Sequence, residues 1–280
     1  MFRLSCNGKI LDLSAPAVMG ILNITPDSFF DGGEFVSIDA QLKQVERMLD
    51  EGASVIDIGA VSTRPGAAVV CQTGEIERLI PSLKAIRSSF PEAILSVDTY
   101  RPLVARAAVA EGADMINDIY GGRFEAVMMD TVASLKVPYI IMHMKGEPAN
   151  MQSRPMYSDV VAEVSYFFEK QVAEARSKGI SKIIIDPGFG FGKTLEHSYR
   201  LLSDLDTLQS FGLPVMVGLS RKSMIYRALG KGPEGALTGT TVLQTIALIK
   251  GAIILRAHDV KEARETITLF NLVKTYSNEQ

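Results

Sequence analysis

Eight short apolar runs along this chain each end in polar residues that an apolar core has no use for. The runs are 18–23, 54–59, 94–99, 114–118, 137–143, 182–188, 214–222 and 252–258. Their polar endings are Asn23, Asp57, Asp98, Asn117, His143, Asp186, Ser220 to Lys222, and Arg256 with His258. Two kinds of chemistry are present. Asp98, Asn117 and Asp186 offer two carboxylates and an amide, which suit a ligand edge carrying N–H donors, such as an aminopyrimidinone ring. Lys222, Arg256 and His258 offer cationic or N–H donors, which suit an anion. The acids have no His or Cys partners at ligand spacing, so the pattern is not that of a metal cluster.

The segments after these runs add to both sets. The first, NITPDSFFDGG (23–33), sets Phe29 and Phe30 beside two glycines, an apolar pair expected to close onto something. Asn23 at its start can give a carbonyl oxygen to a hard cation or an amide to a phosphate. The second, STRPG (62–66), holds Thr63 and Arg64, a hydroxyl and a bidentate fork of the kind that grips phosphate oxygens. In DPGFGFGKT (186–194) the phosphate-loop pattern GxxxxGK[ST] fails, because Pro187 stands where its first glycine belongs. Its glycines instead let backbone approach a flat ligand, with Phe189 or Phe191 able to touch the face. In SRKS (220–223), Lys222 can donate to a ring carbonyl or an anion, and backbone N–H groups with Ser223 at a helix start suit an anion. His143 is read as a strand-end histidine with a satisfied hydrogen bond and no chemistry, and Met142 as wall.

These groups must be positioned by strands and helices in alternation. Continuous Val/Ile/Leu runs read as buried parallel strands, and polar residues at their C-terminal ends fit the active-site rim of a (β/α)8 TIM barrel. Helices are expected over 38–51, 101–111, 159–178, 235–250 and 259–276, with Gly52, Gly112 and Gly179 as stops and Pro102 at a first helical position. Residues 75–89 are helical in pattern, and Pro81 is expected to kink that helix or delay its start. An open doubly wound sheet would bring a glycine fingerprint after its first strand, and NITPDSFFDGG is not one. Asn7-Gly8 inside residues 2–13 signals a β-hairpin, expected to cover the barrel bottom. The reading is one domain over 1–280, with the barrel at 14–276.

Composition narrows the function classes. The chain has 280 residues, 47% hydrophobic and 22% charged, with a net charge of −3 and no basic block of five or more, so a nucleic-acid surface has no electrostatic support. Cys6 and Cys71 form neither a disulfide framework nor a zinc spacing, and they fit a reducing cytosol. No secretory signal or span of about 20 apolar residues is read, so the expected location is cytoplasmic.

In order and at these strand ends, NITPDSFFDGG, STRPG, SVDT, IND, DPGFGFGK, SRKS and RAHD resemble the bacterial dihydropteroate synthases, a family of pterin-binding barrels, over essentially the whole chain. The resemblance implies condensation of 6-hydroxymethyl-7,8-dihydropterin pyrophosphate with p-aminobenzoate, in folate synthesis, by a dissociative route. It implies a pterin pocket of Asp98, Asn117, Met142, Asp186, Phe191, Gly218, Lys222 and Arg256. Pyrophosphate would meet Asn23, Thr63, Arg64, Arg256, Ala257 and His258, with Mg²⁺ at Asn23. The p-aminobenzoate would meet Phe29, Pro65, Phe191 and Ser223. Asp31, Arg64, Lys222, Arg256 and His258 would carry the catalysis, and a homodimer is usual. Val61, where an acidic residue is common, and Phe29-Phe30 depart from the family pattern, both on the p-aminobenzoate side. Two rivals are a methyltetrahydrofolate-dependent corrinoid methyltransferase and a non-catalytic pterin-binding protein. The first has no need of a pyrophosphate grip, and the second no need to keep charged residues at its strand ends.

Overall fold

The structure is a computed structural model that describes residues 2–25, 37–62, 70–147, 151 and 155–277. The chain opens with the antiparallel pair β1 (Phe2–Cys6) and β2 (Lys9–Leu13), turned at Asn7 and Gly8, which both take positive φ. This is the expected hairpin. Eight parallel strands follow: β3 (Ala17–Asn23), β4 (Val55–Gly59), β5 (Leu95–Asp98), β6 (Met115–Asp118), β7 (Tyr139–Met142), β8 (Ile183–Asp186), β9 (Met216–Val217) and β10 (Ile254–Ala257). They pair in the order β8-β7-β6-β5-β4-β3-β10-β9, and a bridge between Ile185 and Val215 brings the two ends together.

Between the strands lie α1 (Ile38–Asp50), α2 (Gln72–Ser89), α3 (Pro102–Ala110), α4 (Met128–Leu135), α5 (Val160–Ser177), α6 (Leu195–Ser203), α7 (Ser223–Tyr226) and α8 (Leu237–Ile249), and α9 (Val260–Ser277) follows β10. Gly52, Gly112 and Gly179 follow α1, α3 and α5 with positive φ, as their positions predict. The expectation for Pro81 needs correcting in part: α2 begins at Gln72 and runs through it. Pro81 sits on the exposed face, where the carbonyl it leaves unbonded can meet water. Helices α4 and α6 are not among those expected: they are brief, and unlike α3 they lack a first-position proline with a glycine stop to mark them. No described helix is long and apolar enough to cross a membrane.

Strand alternation sorts the side chains into two buried sets. One faces outward onto the helices and includes Val18, Leu22, Ile56, Ile58, Val97, Ile116, Ile141, Ile185 and Leu255. The other fills the barrel floor and includes Met19, Val55, Ile94, Met115, Ile140, Ile184, Met216 and Ile254, sealed from below by Leu4, Cys6, Leu11 and Leu13 of the hairpin. The strand period of two then does the positioning. Stepping up from each floor residue by two or four positions gives Asn23, Asp57, Asp98, Asn117, Met142, Asp186, Gly218 and Arg256. The sequence pattern thus aims all eight into one barrel mouth.

Candidate active site

Arg256 stands at the centre of that mouth. Its Nε donates to Asp57 Oδ2 at 2.7 Å and its Nη2 to Asp98 Oδ2 at 3.0 Å. Asp57 Oδ2 also accepts from Asn117 Nδ2 at 2.9 Å. One carboxylate oxygen thereby ties β10 to β6 across β4, and Asp57 is completely buried. Its second oxygen, Oδ1, is buried with no hydrogen-bond partner among the described residues. Burial lowers the Arg256 guanidinium's affinity for its proton, but Asp57 and Asp98 more than reverse this and leave its pKa raised.

Asp98 is the pH-sensitive group. Burial pushes its pKa up to about 7; Arg256 opposes the shift, while Asp57, Glu75 and Asp118 add to it. The folded state holds this proton more tightly than the unfolded chain does, so the carboxyl's contribution to stability is full below about pH 4 and is lost as pH rises through about 7. If the ionised carboxylate accepts N–H bonds from a ring edge, affinity must rise with pH. We expect affinity for a ligand presenting such an N–H edge to increase about tenfold between about pH 6 and pH 8. Calorimetric titration across that range checks it, and a flat profile would remove Asp98 as an acceptor.

Across the mouth, Asp186 Oδ1 accepts from Gly188 N at 2.8 Å. Burial raises the Asp186 pKa, with the nearby charge of Lys222 opposing. Burial lowers that of Lys222 to about 8, where Asp186 pulls it up and Arg256 pushes it down. Lys222 Nζ donates to the carbonyl of Phe189 and lies 4.7 Å from the centre of the Phe191 ring, within cation–π range. The loop that presents these groups is braced from beneath. Lys193, 3% exposed, donates to the carbonyl oxygens of Gly188 at 2.9 Å and Phe191 at 3.2 Å. Its Nζ also lies 2.9 Å from His143 Nδ1. Burial, reinforced by Lys193, drives the His143 pKa down to about 2, so the imidazole is neutral. A Cβ on Gly188 would overlap the His143 carbonyl oxygen, and its φ is +66°. Gly188→Ala should therefore lower stability by more than about 2 kcal/mol, read as a shift in denaturant midpoint.

The rim carries the remaining polar groups. Asn23, Gly59, Asp98 and Asn117 are successive register partners across β3, β4, β5 and β6. Gly59 leaves space there, since a Cβ would stand 3.6 Å from Asn23 Oδ1 and 3.8 Å from Asp98 Cβ. His258 Nδ1 lies 3.1 Å from Ser220 Oγ, and Arg221 is held by Asp259 through two bonds of 2.8 and 2.7 Å. Acceptors thus line the depth of the mouth around the Arg256 guanidinium, with Lys222 across from them and Arg221 at the edge.

A family model described as pterin binding enzyme matches residues 19–258. A dihydropteroate synthase of Haemophilus influenzae is 45% identical over 270 residues, covering 96% of this chain and 98% of that protein. The chain belongs to the dihydropteroate synthase family. Among solved structures, a Yersinia pestis dihydropteroate synthase with a sulfonamide drug complex superposes with a TM-score of 0.93 at 42% identity, covering 98% and 100% of the two chains. A Xanthomonas albilineans dihydropteroate synthase in complex with 7,8-dihydropteroate superposes with a TM-score of 0.87 at 40% identity, covering 98% and 99%.

Within this dihydropteroate synthase fold, Asp57, Asp98, Asn117 and Arg256 form one bonded group, and Asp186, Phe191 and Lys222 a second group about the 188–193 loop. Met142 lies in the apolar cluster with Ile119, Met144, Met151 and Phe191. Gly218 sits below Lys222, whose Nζ would be 3.6 Å from a Cβ there. Ser223 opens α7 directly after Lys222. Ala257 turns its side chain outward into the helix-facing core, so its backbone is the part available to a ligand. Of the two rings expected to touch a flat ligand, Phe189 is completely buried and contributes its carbonyl, which leaves Phe191. Phe29, Asp31, Thr63, Arg64 and Pro65 lie outside the described residues. Asp57, although it ends an apolar run, and Lys193 are site residues beyond those expected from the sequence; their partners are remote in the chain or are backbone carbonyls.

Proposed function

We propose that this protein is a dihydropteroate synthase that joins 6-hydroxymethyl-7,8-dihydropterin pyrophosphate to p-aminobenzoate, giving 7,8-dihydropteroate and pyrophosphate. The observation that carries the reading is Arg256, gripped by Asp57 and Asp98 in a mouth shared with Asn117, Asp186 and Lys222. A pterin edge finds acceptors at Asp98 and Asp186, an amide at Asn117 and a donor at Lys222. Arg256, with two of its nitrogens already bonded, offers a flat face for the ring to stack on. Met142 and Phe191 form apolar wall, and Gly218 leaves space beside Lys222.

The pyrophosphate would meet Asn23, Thr63, Arg64, Arg256, His258 and the Ala257 backbone. The C–O bond between the pterin methylene and pyrophosphate breaks first, its electron pair leaving on oxygen. These donors stabilise that charge as it develops. A carboxylate at Asp31 would stabilise the methylene cation. The arylamine of p-aminobenzoate, held by Phe29, Pro65, Phe191 and Ser223, then forms the C–N bond and loses a proton. Keeping water out of the mouth protects the cation.

No group of three His, Cys, Asp or Glu residues able to hold a metal occurs among the described residues. Mg²⁺ needs no such cage, since it keeps several waters and shares substrate phosphates. Asn23, with its amide oxygen at the open rim beside Gly59, fits it as a single protein ligand. A Mg²⁺ held there would neutralise pyrophosphate charge.

We read the whole of 1–280 as one such barrel unit, working as a homodimer in the cytoplasm. The dimer is supported by exposed Val242, Ile246 and Ile249 on α8 and Leu269, Val273 and Tyr276 on α9, two helices packed side by side.

The test is pyrophosphate release that requires both substrates. Positional isotope exchange in the pterin pyrophosphate without p-aminobenzoate probes the route. Exchange is expected, and its absence would rule against the dissociative step.

A further inference from the structure

Beside the mouth lies a buried ion pair that the reaction described above does not use. Glu75, in the first turn of α2, is 1% exposed, and Arg101, just before α3, is 8% exposed. Arg101 Nη1 donates to Glu75 Oε2 at 2.5 Å, and Thr99 Oγ1 donates to Glu75 Oε1 at 2.7 Å. The second arm of the guanidinium, Nη2, donates to the carbonyl oxygen of Val70 at 2.7 Å. Three points in the chain meet here. Thr99 follows Asp98, the pterin-side carboxylate. Val70 follows directly on residues 63–69, which carry Thr63, Arg64 and Pro65. Glu75 and Arg101 join these two through one charge pair and one fork. Burying such a pair is unfavourable unless geometry and remaining hydrogen bonds are good, and it contributes little net stability over an apolar replacement. Its value lies in direction, because a guanidinium fork fixes two acceptors at once.

We propose that Glu75, Thr99 and Arg101 are positioning residues that hold Val70, near the end of the connection from β4 to α2, in register with the Asp98 end of β5, so that the pyrophosphate and p-aminobenzoate groups are set against the pterin ring. This rests on the function proposed above. The side-chain bonds of the brace reach Glu75, Thr99, Arg101 and the Val70 carbonyl, whereas its link to Asn117 is the backbone bond from Thr99 N at 3.0 Å, which side-chain substitutions leave in place, so its loss should act on the second substrate and leave the pterin pocket intact.

The experiment compares wild type, Arg101→Lys, Arg101→Met and the double variant Glu75→Gln with Arg101→Met. The double variant removes both charges, so no unpaired charge remains to unfold the site. Binding of 6-hydroxymethylpterin is measured by calorimetry at about pH 8, where Asp98 is already ionised in wild type. The KM for p-aminobenzoate and kcat come from pyrophosphate release, and folding is followed by thermal melting. The brace predicts a p-aminobenzoate KM raised on the order of tenfold in Arg101→Met and in the double variant, with pterin affinity within about twofold. Arg101→Lys keeps the charge and should restore KM to within about threefold of wild type. An unchanged KM in a folded double variant overturns the inference, as does pterin affinity falling in parallel with KM. A lower kcat with both affinities unmoved also overturns it, since that is the mark of a smaller folded fraction. If wild type itself releases no pyrophosphate, the proposed function fails first, which separates that failure from the failure of the brace.

Discussion

Replacing Arg256 by alanine should lower kcat/KM by roughly 10²- to 10³-fold, and Lys222→Ala by roughly 10²-fold or more, each a loss of about 3–4 kcal/mol of transition-state stabilisation. Arg256 is held by two carboxylates at 2.7 and 3.0 Å, so its plane and charge are set before any ligand arrives. Such preorganised charge needs no reorganisation at the moment of bond breaking. Lys222 is held by the Phe189 carbonyl and the Phe191 ring, and stays cationic at neutral pH because its pKa falls only to about 8. Steady-state pyrophosphate release and pterin calorimetry check both. Arg256→Ala should show a larger drop in kcat than in pterin affinity, because its proposed role joins ring stacking to leaving-group charge. Activity within about threefold of wild type in either variant would dismiss that residue as part of the machinery.

The second large effect concerns stability. Asp57→Ala should lower folding stability by roughly 3–5 kcal/mol, the range for breaking a buried pair from one side. Asp57 serves Arg256 and Asn117 through the same oxygen, so its removal frees two donors at once. The sign at Asp98 is equally testable. Asp57 helps hold the Asp98 pKa up near 7, so its loss should move the midpoint of pH-dependent pterin binding downward. Guanidinium titration reads the first consequence and calorimetry over pH the second. An unchanged denaturation midpoint would mean that the pair adds no stability to the fold.

The barrel was legible because β-strands have a period of two. Met19, Val55, Met115 and Ile254 are ordinary apolar residues in isolation, yet stepping up from them gives the mouth side chains Asn23, Asp57, Asn117 and Arg256. Polar endings at Asp98, Asn117 and Asp186 were visible for the same reason, since nothing in an apolar run explains them. What could not be read was pairing. Asp57 and Arg256 stand 199 residues apart, and no local pattern announces that they meet. Lys193 looked like the tail of a failed phosphate loop because its partners are mainly backbone carbonyls, which every sequence has. The course of α2 through Pro81 was hidden because sequence alone does not say which face of a helix meets water.

The hairpin plug has a kinetic corollary. With Leu4, Leu11 and Leu13 stoppering one end of the cylinder, the doorway among the described residues is the opposite rim. A ring that lodges deepest must then enter before whatever caps it and depart after whatever lies above it. Turnover would run as a stack, last in and first out: the pterin portion boards first, inorganic diphosphate and the aryl amine share the upper landing, and the joined product is the final passenger to leave.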